Sequence, residues 1–410
     1  MTSWIGGDRL RTTPSLRKPR TCAIVDAALI VLIIVAGLVH LGLIVGMGAD
    51  AAGVFFRALT TSTLLSAIPV TILWFLDRRE RETPSMFAAA FLWGGCIATA
   101  LALPFNTAFF RIVDVWVAQN PMNTDVLGPD ATILIAAPLS APIAEEIVKA
   151  LGVIVIFWLL RAEFDSMRDG FIYGALVGVG FNWFEAALYV AQGYSQHGVA
   201  PYGLQLGVRY ALFGMGGHAM FTGMFGLFLG LAIQTQRIWL RILAPLVGLV
   251  LAIAAHMLNN ALPLFAALAS AAAGEPPRPD PEQELHDMGF LAAFMSGSLI
   301  QLIIFVPFLL ITVIAIWRSG VWERRVIREE LAAEVGDAVS PGEYEDILAD
   351  RVLRTRRIDL IHPHLSAALV DAQHQLAFRK RRVRNAGKDP ERDPIVAGWR
   401  EDIRRLREAA

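Results

Sequence analysis

The sequence predicts an all-α polytopic membrane protein, with about eight transmembrane helices and a helical, charge-rich C-terminal region placed in the cytoplasm. Three observations carry that prediction. The 410 residues are 55% hydrophobic with a mean hydropathy of +0.51, too apolar for an ordinary soluble domain. Apolar runs of about 20 residues or more, enough to cross a bilayer, recur between Ala23 and Trp317. The charges are partitioned: residues 318–410 hold 19 of the 36 Lys+Arg and 17 of the 37 Asp+Glu. The divisions expected are a cytoplasmic N-terminal segment (1–22), a transmembrane domain (23–317) and a cytoplasmic helical tail (318–410).

The first apolar run, Ala23–Met47, follows a basic segment containing Arg9, Arg11, Arg17, Lys18 and Arg20. Ala49-Asp50-Ala51 imitates a cleavage site, but the run is about twice as long as a signal-peptide core and reads as an uncleaved anchor. Further spans are expected over Val54–Leu76, Met86–Phe110, Ala131–Leu160, Phe171–Gln192, Arg209–Ile233, Trp239–Phe265 and Gly289–Trp317. Pro138 and Pro142 lack backbone donors, which predicts a kink or a re-entrant piece over Ala131–Ala141 and a fresh helix near Pro142. Two longer connections, 111–130 and 270–288, carry the turn signals Asn120-Pro121, Gly128-Pro129 and Pro276–Pro281. With the N-terminus inside, Arg78, Arg79, Arg81, Arg161, Arg168, Arg237 and Arg241 fall on inner connections, so both termini are expected in the cytoplasm.

Beyond Trp317, Trp322–Val335 reads as an amphipathic helix leaving the membrane, and Ser340-Pro341-Gly342-Glu343 as a helix start with a capping box. Leu365–Arg384 and Pro394–Glu408 complete the expected tail. The cluster Arg379-Lys380-Arg381-Arg382 suits either anionic lipid headgroups or a solvated helix face. A net charge of −1 offers nothing to nucleic acid, and two cysteines, Cys22 beside a span and Cys96 within one, do not make a disulfide framework.

Four successive spans carry polar groups deep in apolar sequence: Glu145-Glu146-x-x-Lys149, then Asn182 and Glu185, then His218 and Thr222, then His256, Asn259 and Asn260. Each ionisable group at bilayer depth costs roughly 2.5–3.5 kcal/mol on insertion scales. Lys149 is three and four residues from the two acids, so it neutralises one carboxylate and leaves another over. A single His or Asn in a span is commonly helix-to-helix glue. Three carboxylates, two imidazoles and an amide together point to a site. Gly174, Gly178 and Gly180, and Gly214 through Gly230 including Gly226-x-x-x-Gly230, permit close helix approach around it. The cluster suits hydrolysis, or a coupling site for proton or ion transport, although the chain lacks the internal repeat common in transporters.

In order and spacing, Glu145-Glu146-x-x-Lys149, Phe181-x-x-x-Glu185, His218 and His256-x-x-x-Asn260 resemble the PrsW intramembrane proteases, grouped with the CAAX-prenyl-protease and bacteriocin-processing (ABI) superfamily. The resemblance covers about residues 131–265. Glu185 stands where prenyl-protease relatives usually have His, and no Arg follows the paired acids; both departures fit the PrsW branch. The resemblance implies a peptidase of a bacterial cytoplasmic membrane acting on a membrane-anchored protein, such as a single-pass anti-sigma factor. It implies Glu145 as general base, with Glu146 and Lys149 setting its charge state. His218 and His256 would hold the water or protonate the leaving amine, and Asn260 would donate to the oxyanion. Glu185 completes the implied set. The same Glu145, Glu185, His218 and His256 suit Zn²⁺, so a metal-free and a zinc-dependent route both stand at this stage, as does a helix-binding relative without activity.

Overall fold

A computed structural model of the chain describes residues 19–77, 84–159, 164, 166–276, 289–350 and 363–409. The N-terminal basic residues up to Lys18, the connecting Arg78, Arg79, Arg81 and Arg161, and most of the proline-rich 270–288 connection lie outside the described residues. Among those described, the structure is helical throughout, with one isolated β-bridge between Val335 and Val339.

The apolar runs become α1 (Pro19–Gly46), α2 (Ala49–Leu76), α3 (Pro84–Leu92) and α4 (Thr99–Gln119), the last two joined by a π-helical turn at Trp93–Ala98. After the short α5 (Met122–Leu127) come α6 (Ala131–Leu159), α7 (Met167–His197), α8 (Tyr202–Tyr210), α9 (His218–Gln234), α10 (Ile238–Ala272) and α11 (Phe290–Leu331). The chain ends in α12 (Pro341–Ala349), α13 (Pro363–Asn385) and α14 (Pro394–Glu408). Among the described residues, six helical stretches are long and apolar enough to cross a membrane: Ala27–Gly46, Ala49–Leu76, Pro84–Gln119, Met167–His197, Ile238–Ala272 and Phe290–Glu334. Two expected spans stand apart: α6 carries Glu145, Glu146 and Lys149 in its apolar stretch, and α9 has 17 residues.

Several expectations are corrected. The run Arg209–Ile233 is not one helix. It ends at Tyr210, passes through a 3₁₀ turn at Leu212–Gly214 and restarts at His218, with left-handed backbone at Leu212 (φ 53°), Phe213 (φ 59°), Gly214 (φ 78°) and Gly217 (φ 56°). Glycines supply much of the break, because they adopt these angles without steric cost. Conversely, α6 runs unbroken through Pro138 and Pro142. Pro138 and Pro142 withhold helical donors from the Leu134 and Pro138 carbonyls, and the Asn260 side-chain amide donates nearby, to the Ala137 carbonyl (3.2 Å). The connection 111–130 is helical to Gln119 and again over Met122–Leu127. The expected helix Trp322–Val335 is the end of α11, which continues past Trp317 to Leu331.

α7 is the axis of the bundle. Its glycines Gly170, Gly174 and Gly178, four apart on one face, meet the α9 backbone at Gly226, Thr222 and His218, while Gly180 meets Phe91 of α3. A Cβ added at Gly226 would fall on the Gly170 carbonyl oxygen. Gly226→Ala is therefore expected to cost about 3 kcal/mol or more, at the upper end for overpacking. Gly42→Ala, where nothing lies within 4 Å, is expected to be silent; thermal unfolding of the two variants in detergent compares them.

The last helices pack around a core of Val326, Leu331, Leu376, Phe378, Val396 and Ile403. Ser340 and Glu343 form the expected capping box. The basic cluster is committed inside this unit: Arg379 pairs with Asp393 (2.7 Å), buried Lys380 with Glu334, and Arg381 with Glu329 and Glu330. Burial raises the Asp393 carboxyl, but Arg379 and the backbone N–H groups of Val396 and Ile395 outweigh it and hold it below the ordinary carboxylate range.

Candidate active site

The polar residues of α6, α7, α9 and α10 converge. Glu145, Glu146 and Lys149 occupy one face of α6, and all three are buried, Lys149 completely. The Lys149 ammonium lies 2.7 Å from Glu146 Oε1 and 3.6 Å from Glu145 Oε2, donates to His218 Nδ1 (2.8 Å) and rests 3.9 Å from the centre of the Phe181 ring. Donation by an ammonium to Nδ1 leaves the ring proton on Nε2, which bonds Glu185 Oε2 at 2.7 Å. The Arg209 guanidinium holds the same carboxylate at 3.2 Å and stacks on Tyr189. His218 is thus gripped from both sides.

Glu146 is fully used. Its Oε1 receives Lys149 and the Nδ1 of His256 (3.1 Å), and its Oε2 receives the Thr222 hydroxyl (3.0 Å). His256 stacks on Phe221 with ring centroids 4.8 Å apart, and its edge meets His218 at 4.7 Å. With Nδ1 facing Glu146, its Nε2 remains for another partner. Glu145 is only half used: Asn106 Nδ2 donates to Oε1 (3.0 Å), whereas the buried Oε2 has no hydrogen-bond partner. Counting Glu145, Glu146 and Glu185 against Lys149 and Arg209 leaves one formal negative charge in excess. The carboxylate left over in the sequence corresponds to Glu145.

A cavity of about 120 Å³ opens beside this network, lined by His218, His256, Glu185, Asn260 and Arg209, with the amides of Asn106, Asn182, Asn259 and Gln301. Glu145 does not line it; it lies against Asn106, which does. Asn260 belongs to a chain of amides rather than to the ionic network. Gln301 donates to Asn259 (2.6 Å), Asn259 to Asn260 (2.9 Å), and Asn260 to the Ala137 carbonyl.

Sequence reasoning missed Asn106, Ser140, which donates to Asn106 Oδ1 (2.9 Å), and Gln301. Asn106 lies on α4 and Gln301 on α11, both outside the motif-bearing helices. A lone neutral amide in an apolar run has no pattern that separates it from helix glue.

One donor atom from each of Glu145, His218 and His256 lies within 4.8 Å of the other two, a spacing that admits a metal ion. The donor set fits: Glu145 offers an unpartnered buried oxygen, and Glu146 backs the His256 ring as carboxylates back metal-bound imidazoles. Glu185, expected as a fourth donor, is instead held by Arg209 and His218. Both His218 nitrogens are engaged, so a metal taken by that ring displaces Lys149 or Glu185.

Buried acids, imidazoles and an ammonium converging among apolar helices suit a membrane-embedded enzyme. The family described as PrsW family intramembrane metalloprotease matches the chain over residues 82–312, more than half its length, and the chain belongs to that family. It is accordingly an integral membrane peptidase. The match is wider than the motif-bearing region and takes in Asn106 and Gln301. No curated protein and no solved structure matches the chain.

Proposed function

We propose that this peptidase hydrolyses a peptide bond of membrane-anchored proteins with water activated by Glu145. The observation that carries the reading is the asymmetry of the paired acids: Glu146 is saturated by Lys149, His256 and Thr222, whereas Glu145 is held at one oxygen by Asn106 and at the other has no hydrogen bond, only the Lys149 ammonium 3.6 Å away. Glu145 Oε2 takes the proton as the water oxygen adds to the carbonyl. Asn260, one of whose two N–H groups is spent on Ala137, gives the other to the developing oxyanion. Glu185 and Lys149 engage both nitrogens of His218 and fix that ring in place, and Glu146 orients His256, whose Nε2 is left for the water or the leaving amine. The proton held on Glu145 passes to the amine as the C–N bond breaks.

Glu145, His218 and His256 are the residues that would hold a zinc ion, which supplies a water of lowered pKa and a Lewis acid for the carbonyl oxygen. About one zinc per chain in purified protein, lost in His256→Ala, assigns the zinc route; a zinc-free protein that still cleaves assigns the route through Glu145 alone.

On this reading α6 and α9 also cross the membrane, giving eight spans with both termini in the cytoplasm. The motif order supports placing the chain with the CAAX-prenyl-protease superfamily, and an anti-sigma-factor-like single-pass protein is the substrate class we favour. Co-expression of tagged single-pass proteins with wild type or Glu145→Gln tests the assignment, and equal cleavage by both would sink it. Asn106→Leu removes the donor to Glu145 without emptying its space. It is expected to lower kcat by about 10–100-fold, as loss of an orienting partner typically does, with KM little changed.

A further inference from the structure

Two residues that line the cavity each bury an amide oxygen that has no hydrogen-bond partner. Asn182, fully buried on α7, spends its Nδ2 on the Arg209 carbonyl (3.3 Å), which fixes the side chain with Oδ1 unpartnered and 3.5 Å from where a Gly217 Cβ would stand. Gln301, 2% exposed on α11, spends its Nε2 on Asn259 Oδ1 (2.6 Å) and leaves Oε1 unpartnered. Because each nitrogen is committed, neither amide can be flipped to exchange acceptor for donor without losing its own hydrogen bond. Both residues line the cavity that His218 and His256 line.

A buried carbonyl without a donor is costly, and native structures keep such groups where a ligand supplies the donor. Two acceptors beside a peptide-cleaving site call for two N–H groups. A membrane-spanning helix cannot offer them along its length, because each N–H there is bonded to the carbonyl four residues earlier. An unwound segment exposes them.

We propose that Asn182 Oδ1 and Gln301 Oε1 accept hydrogen bonds from backbone N–H groups of the substrate flanking the scissile bond, so that the site takes its substrate as an unwound chain whatever its side chains. The inference rests on the peptidase reading of this site. It assigns substrate binding to α7 and α11, through a residue of each that the catalytic reading does not use. Gly217 leaves room beside Asn182: its φ of 56° and ψ of −134° suit glycine, so no side chain stands between Asn182 and the start of α9.

The test uses synthetic peptides spanning the membrane segment of a reporter cleaved by wild type and spared by Glu145→Gln. In these peptides single amides other than the scissile one are replaced by esters, which removes one N–H at a time. Two ester positions are expected to raise KM about tenfold in the full-length wild-type enzyme, the worth of one hydrogen bond to a buried acceptor. One of these losses is expected to vanish in Asn182→Leu and the other in Gln301→Met, because each variant has already lost the acceptor. Wild-type enzyme that tolerates esters equally at every position overturns the proposal and leaves the two oxygens to cavity water, and so do ester and variant losses that simply multiply. Absence of any Glu145-dependent cleavage would instead remove the peptidase assignment of this site, which separates the two failures.

Discussion

Glu145→Gln is expected to lower cleavage by about 10²–10⁴-fold, the usual worth of a general base, while the protein stays folded. Glutamine keeps the shape of the side chain and the oxygen that Asn106 binds, and loses the charge and the ability to take a proton. Stability is expected to move by less than about 1 kcal/mol. The charge removed is the one in excess, and the Glu146–Lys149 and Glu185–Arg209 pairs survive. Glu146→Gln should behave differently, because it takes a partner from Lys149, His256 and Thr222 together. Single-turnover cleavage in proteoliposomes with parallel thermal unfolding measures both. A Glu145→Gln enzyme that cuts within threefold of wild type would show that the base lies elsewhere.

Much of this centre was legible in the sequence because charge in an apolar run is expensive and therefore informative. Glu145, Glu146 and Lys149 announced a partly neutralised acid pair by their three- and four-residue spacing. Glu185, His218 and His256 stand out because nothing else ionisable shares the deep parts of their helices. All six belong to one network in the folded chain, and Asn260 stands at the edge of the same cavity. Asn106 and Gln301 were not legible, since an amide carries no charge and its role is decided by which helix lies opposite. The partners of Glu185 come from two other segments: the structure gives that carboxylate to Arg209 and His218, while Lys149 binds Glu146. The break before His218 was hidden by its surroundings: residues 211–217 are apolar or glycine throughout, and their glycines read equally well as packing contacts or as turns. Only the backbone angles at Leu212, Phe213, Gly214 and Gly217 separate the two. α6 shows the opposite case, where local chemistry predicted a break and the helix nonetheless continues through both prolines.

Lys149→Met is expected to be the most disruptive single change in the site, costing about 3–5 kcal/mol of stability, as removal of one partner from a buried ion pair does. The methionine fills the space, so the loss is electrostatic: Glu146 keeps the His256 N–H and the Thr222 hydroxyl but has no cation within the bundle, where water cannot replace it. Adding Glu146→Gln removes the stranded charge, and the double variant is expected to regain at least half of the lost stability in thermal unfolding. Activity should not return with it. Lys149 also donates to His218 Nδ1, while Glu185 accepts from Nε2; without Lys149 the ring is held by Glu185 alone, and Nδ1 is free to take a second proton or to turn away. A folded but inactive double variant would thus separate the two duties of Lys149, neutralising Glu146 and holding His218 at Nδ1. Full activity in the double variant would reduce Lys149 to a counter-ion, and recovery of neither property would mean that Glu146 is held chiefly by His256 and Thr222.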